Sequence, residues 1–271
     1  MHPLSKVGLK LDWAKIRLNM LDAQVRGFLD GDPYRIDPKP PLPSRKPLDE
    51  VLIDRADGAP NAIGVFRIVR RPPPSFSLII GDYVHNLRCT LDHLVWQLSL
   101  LTTDTPHPYT QFPIFHKREA EPSIKGWTMD IPVEARNIIT EMQPYNRPGF
   151  SVGHHRHYPL WQIGHLDNRD KHAEILVTIL SESLVTVASD GTRTVSMFSS
   201  PLNDGDPVFA DARLSKFTRP ASDDEPHIYI EPTYGVVVEE SPSVVIAFSQ
   251  LVELHDFVDR KVIPRFARFF K

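Results

Sequence analysis

Apolar residues recur at three- and four-residue intervals early in the chain: Leu9, Trp13, Ile16, Met20, Leu21, Val25 and Phe28. This period predicts an amphipathic first helix over 9–29 with that set on its buried face, and Gly31-Asp32-Pro33 ends it. Five prolines (38, 40, 41, 43 and 47) predict an extended connector. Ala62 to Val69 is rich in β-branched residues and reads as a strand, closed by Pro72-Pro73-Pro74. A long helix follows to about Leu101, with Ser75 or Ser77 placed to cap it. Pro132–Met142 and Pro159–His172 read as shorter helices, with a loop from Gly149 to His157 between them.

From Glu174 to Val238 the pattern changes to short β-branched runs. Residues 175–180, 184–187, 192–198, 208–212, 227–230 and 235–238 read as strands, with Asp190-Gly191 as a hairpin turn. Ser243 then caps a last helix through Val244, Phe248, Leu251, Val252, His255 and Val258, and Pro264 kinks or ends it. The expected fold class is therefore α+β in a single domain, 1–271. A helical core over 1–172 and 243–271 carries an antiparallel β-rich segment, 174–238, inserted before the C-terminal helix.

Composition narrows the class. Lys and Arg total 31 against 34 Asp and Glu, a net charge of −3, and 41% of residues are hydrophobic. These values exclude a wholly disordered chain, a coiled-coil rod and a collagen-like chain. No apolar run approaches the ~20 residues of a membrane span, so no membrane partner is expected. Near-neutral charge gives no global attraction to nucleic acid. Cys89 is the only cysteine, which excludes an intrachain disulfide framework and a multi-cysteine zinc site. With no secretory pattern at the N-terminus, the expected compartment is a reducing cytoplasm.

The chemistry concentrates on two helices. At about 100° per residue, Ile80, Val84, Leu87, Leu91, Leu94, Val95 and Leu98 form one apolar face. Asp82, His85, Cys89, Asp92, His93 and Trp96 lie opposite, with Asn86 beside them and Arg88 at the boundary. A solvent-facing stripe is ordinarily Lys, Glu and Gln; these residue types cost helix propensity and predict partial burial with partners. The helix over 160–172 supplies them. His165, Arg169 and His172 share one of its faces, flanked by Asp167 and Asp170. Facing polar stripes would interleave imidazoles, carboxylates and arginines, either as an ion-pair network or as an active site.

His85-Asn86-Leu87-Arg88-x-x-Leu91-Asp92-His93-Leu94, Gln111-Phe112-Pro113-Ile114 and Leu166-Asp167-Asn168-x-Asp170-Lys171-His172 resemble the signature of a group of uncharacterised bacterial proteins. The resemblance spans about 75–175 and implies kinship but no activity. Arg88-Cys89-Thr90-Leu91-Asp92-His93 is also similar to the R-x4-H motif of the HEPN superfamily, helical proteins that include metal-independent ribonucleases. That resemblance implies a HEPN-like bundle and RNA as substrate. It also implies a homodimer in which Arg and His of two protomers meet. His93 would be general acid/base on a ribose 2′-hydroxyl, and Arg88 would neutralise the phosphate in the transition state. Cys89 stands where the family often has a polar residue, and the β-rich segment is foreign to a minimal HEPN bundle.

Three readings compete. The first is a HEPN-like endoribonuclease without cofactor, with Arg88, His93, His85 and Asp92 as catalytic candidates. Asn86, His165, Asp167, Arg169, Asp170 and His172 would support them. The second is a non-catalytic or partner-binding protein whose stripes form an interhelical network. The third is a metal enzyme using His85, Asp92, His93, His165 and His172, against which stands the absence of HExxH or paired ExxH spacing. Gly153 to His157 reads as an exposed histidine loop. Cys89 reads as packing, with His85 and His93 at i−4 and i+4 as the feature that would favour a nucleophile. The C-terminal Arg260, Lys261, Arg265, Arg268 and Lys271 read as helix-terminal charge over a phenylalanine core, with RNA contact as the alternative. Trp13, Trp127, Phe112 and Phe115 read as core. Asp204, Asp206, Asp211 and Asp223-Asp224-Glu225 read as solvated turns.

Overall fold

A computed structural model describes residues 2–38, 62–118, 121–146, 154–172, 175–187, 193–196, 203–205, 207–209, 227–240 and 243–271. The connector prolines beyond Pro38, the Asp190-Gly191 turn and the acids at 206, 211 and 223–225 lie outside the described residues. The fold class is α+β. The chain divides into a unit of 1–24, 74–176 and 237–271 and a unit of 25–73 and 177–236.

The first unit is helical. Helix α1 is Pro3–Leu29, α2 Ser75–Ser99, α3 Glu121–Trp127, α4 Val133–Glu141, α5 Pro159–His172 and α6 Phe248–Phe257. Helix α2 is the centre. Its apolar face matches the sequence reading, with Val84, Leu87, Leu91, Leu94, Val95 and Leu98 all fully buried. The Tyr83 hydroxyl donates to the Leu251 carbonyl of α6, and burial pushes its pKa well up. Neither Ser75 nor Ser77 caps α2: the N-cap is Pro74, with no side-chain bond. Proline restricts φ and lacks an N–H, so Pro74 takes the helical entry conformation without leaving a donor unpaired.

The face of α1 differs from expectation. Val7, Leu11, Ala14, Leu18 and Leu21 are buried, whereas Leu9, Trp13, Ile16 and Met20 are exposed. Both sets obey the helical period. They lie about 200° apart, and the tertiary structure buries the set that contains the small Ala14. We expect Leu11→Ala to cost about 2–5 kcal/mol and Leu9→Ala to stay within about 0.5 kcal/mol of wild type. Urea titration of the two variants checks this, and equal losses would reverse the assignment of faces.

The C-terminal helix begins later than expected. Ser243–Ala247 is a strand, because Val244-Val245-Ile246 is β-branched. Helix α6 starts at Phe248, where the Ala247 N–H donates to Gln250 Oε1 (2.9 Å). Beyond α6, Val258–Val262 widens into a π turn before α7 (Ile263–Phe266). Pro264 has no N–H to donate, and its ring crowds the carbonyl four residues back. Phe266 and Phe270 enter the core, while Arg265 pairs with Glu141 (2.6 Å).

In the second unit, β1 (Tyr34–Pro38), β2 (Ala62–Ile68) and β5 (Pro207–Phe209) form an antiparallel sheet in the order β1-β2-β5. The 207–209 strand therefore pairs with β2 rather than with the later meander. Tyr34 stacks on Phe66 (5.6 Å). Asp204 is an anchor, not a solvated turn residue: it accepts from the Ile68 N–H (2.9 Å) and pairs with Arg67. Strand β3 (Leu176–Val187) is continuous where two strands were expected, as is β6 (His227–Glu240). Strands β3 and β4 (Arg193–Ser196) pair antiparallel from Leu184↔Ser196 to Val187↔Arg193. Strands β4, β3 and β6 neighbour one another in that order.

Candidate functional site

Helices α2 and α5 bring the site together. Gly81 makes room for the meeting: a Cβ there would collide with the Asp170 carboxylate. On α5 the residues that face α2 are Asp167, Asp170 and Lys171, not the expected His165, Arg169 and His172. The reason is angular, since Asp167 lies about 200° around the helix from His165. His165 instead stacks on Trp161 (4.5 Å, 14°) and lies within electrostatic range of His116. Arg169 is partly buried, and His172 is exposed at the helix end.

The centre is a dyad. His85 Nδ1 lies 3.1 Å from Asp167 Oδ1. Lys171 Nζ donates to the other carboxylate oxygen (2.7 Å). The side chain of His85 is 49% exposed and that of Asp167 only 6%. A carboxylate only accepts, so the contact assigns the proton to Nδ1 and leaves Nε2 as the nitrogen that can serve as a base. The partner of Nε2 is Cys89 Sγ at 3.4 Å. This is a base aimed by a buried acid, the arrangement that acid–base chemistry requires. Charge around it is mixed. Arg17 of α1 pairs with Asp82 (3.3 Å). Burial and the repulsion of Asp167 push the Asp170 carboxyl up, against the pull of His85, with Asp82 adding to the rise.

A second cluster sits one turn on. Arg88 binds both oxygens of Asp92 (3.2 and 3.0 Å) and donates to the Phe112 carbonyl (2.8 Å). Asp92 in turn accepts from the Phe112 N–H (2.9 Å). Burial raises the Asp92 carboxyl, and Arg88 opposes it. Buried Gln143 completes the clamp: it donates to the Pro113 carbonyl (2.9 Å) and accepts from the Phe115 N–H (2.8 Å). The segment 111–115 belongs to no strand or helix, so its backbone polar groups are met by side chains. Gln143 was missed because one glutamine gives no periodic signal. Its place beside Met142, just past a helix end, was the available clue.

The remaining candidates scatter. Asn86 turns back to the Asp82 carbonyl (2.6 Å). His93, Asp82 and Trp96 are exposed, so the stripe is partly buried at His85, Arg88, Cys89 and Asp92. The five residues of the metal reading do not converge: among the described residues no three His, Cys, Asp or Glu side chains are placed to hold a metal. His154–His157 is a short 3-10 turn rather than an open loop. Trp13 is exposed and Phe112 buried. No helix among the described residues is long and apolar enough to cross a membrane. No protein-family model, curated protein or solved structure matches the chain.

Proposed function

We propose that the protein is a metal-independent endoribonuclease, built on a HEPN-like bundle and acting in a reducing cytoplasm, with His85 as its acid–base group. The observation that carries this reading is the half-exposed imidazole aimed by the nearly buried Asp167. His85 Nε2 takes the proton of a ribose 2′-hydroxyl, and the oxygen attacks the adjacent phosphorus. The 5′-oxygen then leaves as the imidazolium returns that proton to it, giving a 2′,3′-cyclic phosphate. Lys10 lies within electrostatic range of Cys89 beside the dyad and supplies positive charge for the phosphate. The dyad supports the acid–base half of the reading. RNA as substrate rests on the resemblance through Arg88 and His93. Those two side chains point about 140° apart on one helix, and Arg88 is held by Asp92 and Phe112. In this reading they meet only between two copies in a homodimer.

The clamp formed by Arg88, Asp92 and Phe112 favours a second reading, a non-catalytic protein whose stripes are an interhelical network. Incubating the purified protein with total RNA in EDTA separates the two. Cleavage lost in His85→Gln and kept in His93→Ala supports the dyad, and the reverse supports the pair across protomers. A wild-type protein that leaves RNA intact overturns the ribonuclease reading and leaves the network.

A further inference from the structure

The dyad has a third member that the ribonuclease reading does not use. Cys89 Sγ is 3.4 Å from His85 Nε2, and His85 Nδ1 is 3.1 Å from Asp167. A thiol, a base within reach of it and an acid that orients the base are the elements of an activated nucleophile. Cys89 is only half-buried, on the same face as the half-exposed imidazole. We propose that Cys89 is a modification site for low-molecular-weight disulfides, with His85 as its base. Its occupation switches off the acid–base site. The modification itself needs only the geometry; the switching rests on the function proposed above.

The charges facing the thiol explain why the base is needed. Burial pushes the Cys89 thiol up; Lys10 of α1 opposes this, Asp92 of α2 and Asp167 of α5 add to it, and Lys171 of α5 opposes it. The resting group is a neutral thiol, not a stored thiolate. In the reaction, Nε2 takes the Sγ proton and the thiolate attacks one sulfur of the disulfide. The old S–S bond breaks as the mixed disulfide forms, and the departing thiolate recovers the proton from the imidazolium. No other oxidant is consumed. The adduct then stands where Nε2 meets a substrate.

The test uses the full chain and two readouts. Incubation with glutathione disulfide near pH 7, followed by intact-mass measurement, reads the modification directly. We expect one adduct per chain, none in Cys89→Ser, and complete reversal by dithiothreitol. Iodoacetamide alkylation gives the rate, and His85→Gln should slow it at least about tenfold, with thermal melting as the check that the variant folds. Asp167→Asn should slow it in the same direction. An alkylation rate unchanged in both folded variants, or no adduct on wild type, overturns the proposal whether or not RNA is cleaved. Where wild type cleaves RNA, the adduct should abolish cleavage and dithiothreitol should restore it. Cleavage that persists in the adduct removes the switch. An adduct that forms on a protein with no ribonuclease activity sinks the ribonuclease reading and the switch together, while Cys89 stands as a His85-primed site.

Discussion

His85→Gln should lower RNA cleavage in EDTA by about 10²–10⁴-fold, the range that a positioned general acid or base contributes. Glutamine keeps a polar side chain of similar reach, so Asp167 retains a hydrogen-bond donor and loses only the proton acceptor across the ring. That matters because Asp167 is nearly buried, and leaving it unpaired would confound chemistry with stability. Lys171 still holds its other oxygen. Asp167→Asn tests the orienting role. The amide offers Nδ1 either an acceptor or a donor, so the ring is no longer held in one tautomer, and a loss of cleavage without a loss of melting temperature is expected. A His85→Gln protein that folds and cleaves at the wild-type rate would remove His85 from the reaction.

The second large effect is on stability. Arg88 is 11% exposed, and its guanidinium meets both Asp92 oxygens and the Phe112 carbonyl. Arg88→Ala leaves the Asp92 carboxylate without its cation and the carbonyl without that donor. Breaking a buried pair from one side costs about 3–5 kcal/mol; we expect the lower end here, since Asp92 is 31% exposed. Urea titration at neutral pH measures it. The loss carries a pH signature. Without Arg88 the folded carboxyl titrates further above its unfolded value of about 3.9. The folded variant then binds a proton more readily than the unfolded chain, and its deficit shrinks as pH falls through that window. A loss below about 1 kcal/mol, flat with pH, would mean that Arg88 is not structural and return it to the catalytic candidates.

Legibility tracked how local each feature is. The apolar face of α2 follows from periodicity and the start of α5 from Pro159, and both are readable. The dyad was half-readable. The sequence marks His85 and Asp167 individually, but it points to His165, Arg169 and His172 as the facing stripe of α5, because spacing defines a face without saying which way it points. Trp13 and Leu9 failed for the same reason on α1, where two apolar stripes compete. Ser243 reads as a helix cap in sequence, because a β-branched run before a helix fits either element until a neighbouring strand pairs with it.

By itself, the sequence determined that the chain is an α+β protein in which unusual polar residues ride on two helices. Those facts depend on residue type and on neighbours three or four positions away. Only the tertiary structure decided that Asp167 aims His85 and that Cys89 closes on the other nitrogen. It also decided that Arg88 and Asp92 hold the backbone at Phe112. These are contacts between residues 20 to 82 positions apart, or choices among helical neighbours, and each is set by how far one helix is rotated against the next. A rotation of about 100° exchanges one residue for its neighbour, and no local pattern encodes that angle.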